Sequence, residues 1–291
     1  MITNLPHNFP ALSILEQEGF SVQTNSKSDR PLRIAILNLM PIKITTEADL
    51  LRLLSYSPID IEVDFFRLET HVSKNTPAEH LEKYYKPFSA IKHQQYDGCI
   101  ITGAPVELLP FEDVTYWSEL KSIFDWARAN VASTLYICWA AQAAMYHFYG
   151  IPKYTLEKKV SGVFLHTLNE PNNPLFHGFD DEFFAPHSRH TTVYANDIKQ
   201  CPELQLLSES PEAGVYIVSS GGHRELYVTG HSEYHPLTLH QEYTRDLAKG
   251  LESVEMPKNY YPNDDITKTP IVRWRSHANL LFTNWLNLMR N

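Results

Sequence analysis

Three side chains in this sequence, Cys138, His231 and Glu233, are of the types that nucleophilic catalysis by a cysteine needs: a nucleophile, a base, and a group that orients the base. Cys138 closes the apolar run Ser133–Ile137 and is followed at once by Trp139–Met145, an alanine-rich segment of high helix propensity. That order predicts a buried strand over Thr134–Ile137, a helix over Trp139–Tyr149, and a cysteine pinched in the sharp turn between them. A side chain there stands at the carboxyl end of a strand and points toward a helix N-terminus. The partial positive charge and free N–H groups of that helix end favour a thiolate over a thiol. The N–H of Trp139 is placed to donate to an oxyanion.

His231 and Glu233 lie in Gly230-His231-Ser232-Glu233, after an expected strand over Glu225–Thr229. Residues two apart in extended chain share a face, so the carboxylate can stand beside the imidazole and fix its tautomer. Each feature has an ordinary alternative. A lone cysteine behaves as a small buried hydrophobe, and a histidine beside an acid is a common surface pair. What favours a site is coincidence: Cys138, Gly103-Ala104-Pro105 and His231 all follow expected strands.

Metal chemistry fits less well. His187 and His190 are three apart, and His231 and His235 four apart. Pro236 pushes His235 out of helical geometry, and Glu233 falls one place too late for the helical zinc-protease pattern. No metal site is expected. A Gly-x-Ser-x-Gly elbow is absent.

The elements that must position these residues alternate through the first half. Leu32–Met40 reads as a nearly continuously apolar central strand stopped by Pro41, and Thr45–Leu54 as a helix capped by Thr45. Ile59–Phe65 and Tyr96–Gly103 read as strands, and Pro77–Tyr85 and Asp113–Arg128 as helices. The second half is richer in strands: Lys159–Phe164, Phe183–Ser188, Gly214–Ser219 and Glu225–Thr229, then helices over Leu237–Leu251 and Ser276–Met289 around a loop at Asn259–Pro270. Strands alternating with helices imply an α/β fold, a mostly parallel sheet flanked by helices, whose ligands bind beyond the carboxyl ends of the strands. The expected organisation is an N-terminal arm over 1–30, with a short helix near Ala11–Glu18, and a single domain over 31–291.

The chain has 291 residues, 43% of them hydrophobic, enough for a sizeable core. A net charge of −9 without a basic block argues against nucleic acid as a partner. No apolar run approaches the length of a membrane helix, and the N-terminus lacks a secretory pattern. Three widely spaced cysteines, at 99, 138 and 201, fit a reduced cytoplasmic protein.

Ile137-Cys138-Trp139-Ala140-Ala141-Gln142 together with His231-Ser232-Glu233 resembles the class I glutamine-amidotransferase-like (flavodoxin-like) fold, in which a Cys-x-Gly-x-Gln turn and a His-x-Glu complete a triad. Here Ala140 stands where amidotransferases keep glycine. That departure points to the homoserine O-acyltransferase family of methionine biosynthesis. Asn38-Leu39-Met40-Pro41, Asn75–Leu81, Thr102-Gly103-Ala104-Pro105, Ala185–Arg189, Trp274–His277 and Asn279–Asn287 also resemble that family. The resemblance implies that Cys138 carries an acyl thioester, His231 is the general base and Glu233 orients it. It further implies that Lys159, Ser188 and Arg245 bind substrate, with no bound cofactor. Taken alone, Lys159 reads as a solvated cation opening a strand, Ser188 as a capping residue in a turn, and Arg245 as the partner of Glu242 or Asp246 on a surface helix.

In the family, glutamate at the position of Glu107 goes with acetyl transfer and glycine with succinyl transfer. The resemblance therefore implies L-homoserine and acetyl-CoA as substrates, and suggests a homodimer. The alternatives are succinyl-CoA as donor, a glutamine amidotransferase or related hydrolase, and a non-catalytic binding protein on the same fold.

Overall fold

A computed structural model describes residues 2–20, 30–71, 73, 75–250 and 254–290. In chain order the strands are β1 (Leu32–Leu37), β2 (Ile61–Arg67), β3 (Lys86–Pro87), β4 (Tyr96–Ile101), β5 (Val131–Ile137), β6 (Tyr154–Leu168), β7 (Glu182–Thr192), β8 (Leu204–Ser210), β9 (Gly214–Ser220) and β10 (Glu225–Val228). The helices are α1 (Pro10–Gln17), α2 (Lys43–Ser55), α3 (Ala78–Tyr84), α4 (Phe88–Ile91), α5 (Trp117–Asn130), α6 (Trp139–Tyr149), α7 (Ala195–Gln200), α8 (Thr238–Ala248) and α9 (Arg275–Leu288). Among the described residues these ten strands form one sheet in the order β3-β2-β1-β4-β5-β10-β9-β8-β6-β7. The run from β3 to β10 is parallel; β9, β8, β6 and β7 continue it with antiparallel pairings.

The central parallel strands β1, β4, β5 and β10 are largely buried on both faces, and their period-two alternation divides the core. Ile34, Ile36, Ile100, Leu135 and Leu226 point to one side, where α1, α2 and α9 cover them. Ala35, Leu37, Ile101, Tyr136 and Tyr227 point to the other, beneath α5 and α6. The segment expected as an N-terminal arm contributes Ile2, Leu5, Phe9, Leu12 and Leu15 to the first of these cores, and Ile2 bridges to Ile61. Residues 21–29 of that segment lie outside the described residues, as does residue 251 at the end of the expected last-but-one helix. Among the described residues no helix is long and apolar enough to cross a membrane.

Several boundaries differ from expectation for identifiable reasons. β1 ends at Leu37, not Met40, because Asn38 turns its side chain inward and its Oδ1 accepts from Met40 N–H at 3.1 Å. Thr45 is not a cap: α2 begins at Lys43, and the Lys43 ammonium closes the preceding turn by donating to the Asn38 and Met40 carbonyls. Asp113 belongs to a short 3-10 turn, and α5 starts only at Trp117. Ser188 lies inside β7, opposite Ser161, rather than in a turn. Lys159 is not at a strand start but at a register irregularity within β6. β8 has no counterpart among the expected strands: Leu204, Leu206 and Leu207 are too brief an apolar signal beside Ser208-Glu209-Ser210.

Candidate active site

The turn at Cys138 lies at the sheet's carboxyl edge, between β5 and α6. Its backbone sits at φ +53°, ψ −115°, a conformation that L-residues adopt at a cost of roughly 1–3 kcal/mol. Neighbouring bonds hold it there. Cys138 N–H donates to Val228 O on β10 at 2.7 Å, and Cys138 O accepts from Ala141 N–H at 3.0 Å as α6 begins. The effect is to lift the cysteine side chain out of the sheet while the Trp139 amide turns into the same corner. Gly103, just beyond β4, closes against this corner. A Cβ there would sit 3.3 Å from Cys138 Cβ and 3.5 Å from the Trp139 nitrogen. The missing side chain lets the Gly103–Glu107 loop backbone approach the thiol.

Gly230 does the same for His231. A Cβ at Gly230 would meet Pro186 O at 2.8 Å and His187 Cε1 at 2.9 Å. With none, the chain passes close over β7 and His231 N–H bonds Pro186 O at 2.8 Å. His231 Nδ1 lies 2.7 Å from Glu233 Oε1. The pairing matches the expectation from extended chain, but the segment is a turn, with Tyr234 N–H returning to His231 O. The Tyr234 ring stacks on the imidazole at 4.1 Å. His231 is buried, which disfavours its charged form. The Cys138 sulfur on one side and the Glu233 carboxylate on the other outweigh that and hold its pKa well above the usual value. Cys138, His231 and Glu233 are thus brought together, the first from the end of β5 and the other two from the turn after β10.

Cys138 and His231 open into a cavity of about 360 Å³ that Glu107, Lys159, Ser188 and Arg245 also line. One end is polar. Ser188 Oγ donates to Glu242 Oε2 at 2.5 Å, and Tyr234 OH donates to Glu242 Oε1 at 2.9 Å. Lys159 Nζ lies 3.2 Å from Asp246 Oδ2 and 3.8 Å from Glu242 Oε2. Arg245 Nε donates to Oδ1 of the adjacent Asp246 at 2.8 Å, yet Arg245 also borders the cavity. Two cations and two carboxylates at one end of the cavity match the ammonium and carboxylate of an amino acid. Glu242 and Tyr234 are site residues that the sequence reading misses. The available signal is Glu242, Arg245 and Asp246 sharing one face of α8.

Glu107 lies in the loop beyond β4. Its carboxylate accepts from His190 N–H on β7 at 2.9 Å, and Lys153 Nζ donates to its carbonyl at 2.6 Å. Behind the cavity, β7 carries the fully buried Arg189, whose guanidinium bonds Ala213 O and His187 Nδ1. Arginine can only donate, so His187 Nδ1 accepts and its Nε2–H must donate to His166 Nε2, 2.9 Å away. His166 Nδ1–H then donates to Phe164 O at 2.9 Å. Both rings are therefore neutral. Burial brings His166 down to about 3 and His187 well below its usual value.

A family model described as homoserine O-succinyltransferase matches residues 2–291. A homoserine O-acetyltransferase of Bacteroides fragilis is 58% identical over 99% of this chain and 95% of its own length. Proteins of the same name from Acetivibrio thermocellus and Desulfitobacterium hafniense are 56% and 54% identical, over 99% of this chain and 95% and 94% of theirs. Among solved structures, a glutamine amidotransferase from Thermotoga maritima superposes with a TM-score of 0.58 at 12% identity, over 90% of this chain and all of that one. A glutamine amidotransferase from Methylobacillus flagellatus gives 0.54 at 13%, over 90% of this chain and 96% of that one. These two likenesses show the fold, which is that of the class I glutamine amidotransferases. The full-length family match and the identity to its acyltransferases place this chain in the homoserine O-succinyltransferase family.

Proposed function

We propose that the protein is a homoserine O-acetyltransferase that moves the acetyl group of acetyl-CoA to L-homoserine through a thioester on Cys138. The observation that carries this reading is the hydrogen-bonded His231–Glu233 pair beside a thiol on a strained strand-to-helix turn, at the mouth of a cavity whose far end suits an amino acid. The Cys138 thiolate attacks the thioester carbonyl. The oxyanion is stabilised by the Trp139 N–H and an amide of the Gly103–Glu107 loop. The carbon–sulfur bond to CoA breaks, and the CoA thiolate leaves with the proton held on His231. L-Homoserine then enters, with Arg245 and Lys159 facing its carboxylate, Glu242 its ammonium, and Ser188 adding a hydrogen bond. His231 takes the hydroxyl proton as oxygen attacks the acyl carbon, the bond to Cys138 breaks, and O-acetyl-L-homoserine departs.

The family model is named for succinyl transfer, whereas the relatives cited are named for acetyl transfer. Glu107 favours acetyl: a carboxylate lining the acyl cavity opposes the distal charge of a succinyl group. Acetyl-CoA alone should add one acetyl mass to the peptide containing Cys138, and Cys138→Ala should lose both adduct and turnover. Wild-type enzyme without that adduct by rapid quench and mass spectrometry would refute the covalent route. We also infer a homodimer, which sedimentation would test.

A further inference from the structure

A second cavity, of about 400 Å³, adjoins the first and is lined by none of Cys138, His231, Glu233, Lys159, Ser188 and Arg245. The two share Met40, Pro41, Pro105 and Val106, so they meet at the loops that follow β1 and β4. In the sheet order β1 and β4 lie on one side of β5, which leads to Cys138, whereas β6 and β7, which carry Lys159 and Ser188, lie on the other. An acyl donor whose carbonyl sits at Cys138 must run its thiol-bearing arm away from the acceptor end, and the shared loops give it a way out.

The lining of the second cavity suits such an arm. Leu39, Leu68, Leu81 and Tyr116 supply apolar walls for an alkyl-amide chain. Arg67, at the carboxyl end of β2, also lines it, and its Nε is buried without a hydrogen-bond partner. The nearest acid in sequence, Glu69, is engaged elsewhere: its carboxylate accepts from Ser89 N–H and Ser89 Oγ at 2.8 and 2.9 Å. Lys43, also in the lining, already donates to the carbonyls of Asn38 and Met40. Among the described lining residues Arg67 is thereby left as the cation able to turn toward a phosphate, and Glu82 also lines the cavity.

We propose that this second cavity is the donor-arm site: it holds the pantetheine chain of the acyl-CoA, with Arg67 on the diphosphate. The proposal rests on the acyltransferase reading above. Two variants test it, Arg67→Met, which removes the cation, and Ala78→Trp, which fills the cavity from an exposed position at the start of α3. Acylation of Cys138 is measured by mass spectrometry with acetyl-CoA and with S-acetyl-N-acetylcysteamine, which lacks the diphosphate and most of the arm. In both variants the ratio of the acetyl-CoA rate to the short-donor rate should fall at least about tenfold, in Arg67→Met through the loss of one charge-assisted contact and in Ala78→Trp through the bulk that displaces the arm. The Kd of CoA itself, by calorimetry, should rise by a similar factor. An unchanged ratio and unchanged CoA affinity would overturn the proposal, as would equal loss with both donors. A wild-type protein acylated by neither donor would instead overturn the acyltransferase reading on which it stands.

Discussion

Glu107 offers the most direct test of how the site chooses its acyl donor. Its carboxylate is anchored by the His190 amide at 2.9 Å while its main chain is held by Lys153, so it cannot readily swing away from the cavity it lines. A succinyl group on Cys138 would bring a second carboxylate into the same space. At an effective dielectric of about 20, two such charges about 4 Å apart repel by about 4 kcal/mol. Glu107 is only half-buried, so solvent screening reduces this; one third of it still corresponds to about tenfold in rate. Glu107→Gly removes charge and bulk together. Glu107→Gln keeps the bulk and an oxygen for the His190 amide but removes the charge. If charge governs, both variants should raise the succinyl-CoA to acetyl-CoA ratio of kcat/KM by about tenfold or more, followed as CoA thiol release. If bulk governs, only the glycine variant should. A wild-type enzyme that prefers succinyl-CoA, or two variants that keep the wild-type ratio, would refute the reasoning.

Two further substitutions probe the site's framework. Gly103→Ala places a methyl 3.3 Å from Cys138 Cβ and 3.5 Å from the Trp139 amide, so acylation by acetyl-CoA should slow by about tenfold or more while the far-UV spectrum is kept; an unimpaired variant would remove the loop from the oxyanion corner. His166 is held neutral in the fold, with a pKa of about 3 against about 6.5 unfolded, so below pH 6.5 the unfolded chain takes up a proton that the native one does not, and stability falls as pH falls. Between pH 7 and pH 5 this one ring costs about 2 kcal/mol, and urea unfolding of His166→Gln should show a pH dependence shallower by that amount; parallel curves would contradict the neutral ladder.

Where local chemistry decides structure, the sequence is legible. The turn at Cys138 is marked by an apolar run meeting an alanine-rich one, and α6 begins and ends where that pattern predicts, at Trp139 and Tyr149. His231 and Glu233 are recognisable as a pair, although a turn rather than a strand joins them. What long-range packing decides is less legible. Lys159 and Ser188 reach the cavity because β6 and β7 are longer than their apolar cores and pair antiparallel across it. Glu242 looks like an ordinary helical surface acid until Ser188, from a distant strand, and Tyr234 bond its carboxylate. The Arg189–His187–His166 ladder spans two strands and has no local pattern at all.

The backbone of Cys138 has an evolutionary consequence. At φ +53°, ψ −115° a glycine would sit with little strain, whereas any side chain carries a penalty of roughly 1–3 kcal/mol, an appreciable fraction of a typical domain's net stability. Selection for thermal robustness alone would drive this position toward glycine and extinguish the chemistry. On the proposed mechanism the thiol persists only under continuous selection for turnover, while the bonds to Val228 and Ala141 hold the turn in place. In lineages where the activity is no longer needed, this position should be among the first to drift, and its replacement by glycine would leave a sturdier protein than the enzyme it came from.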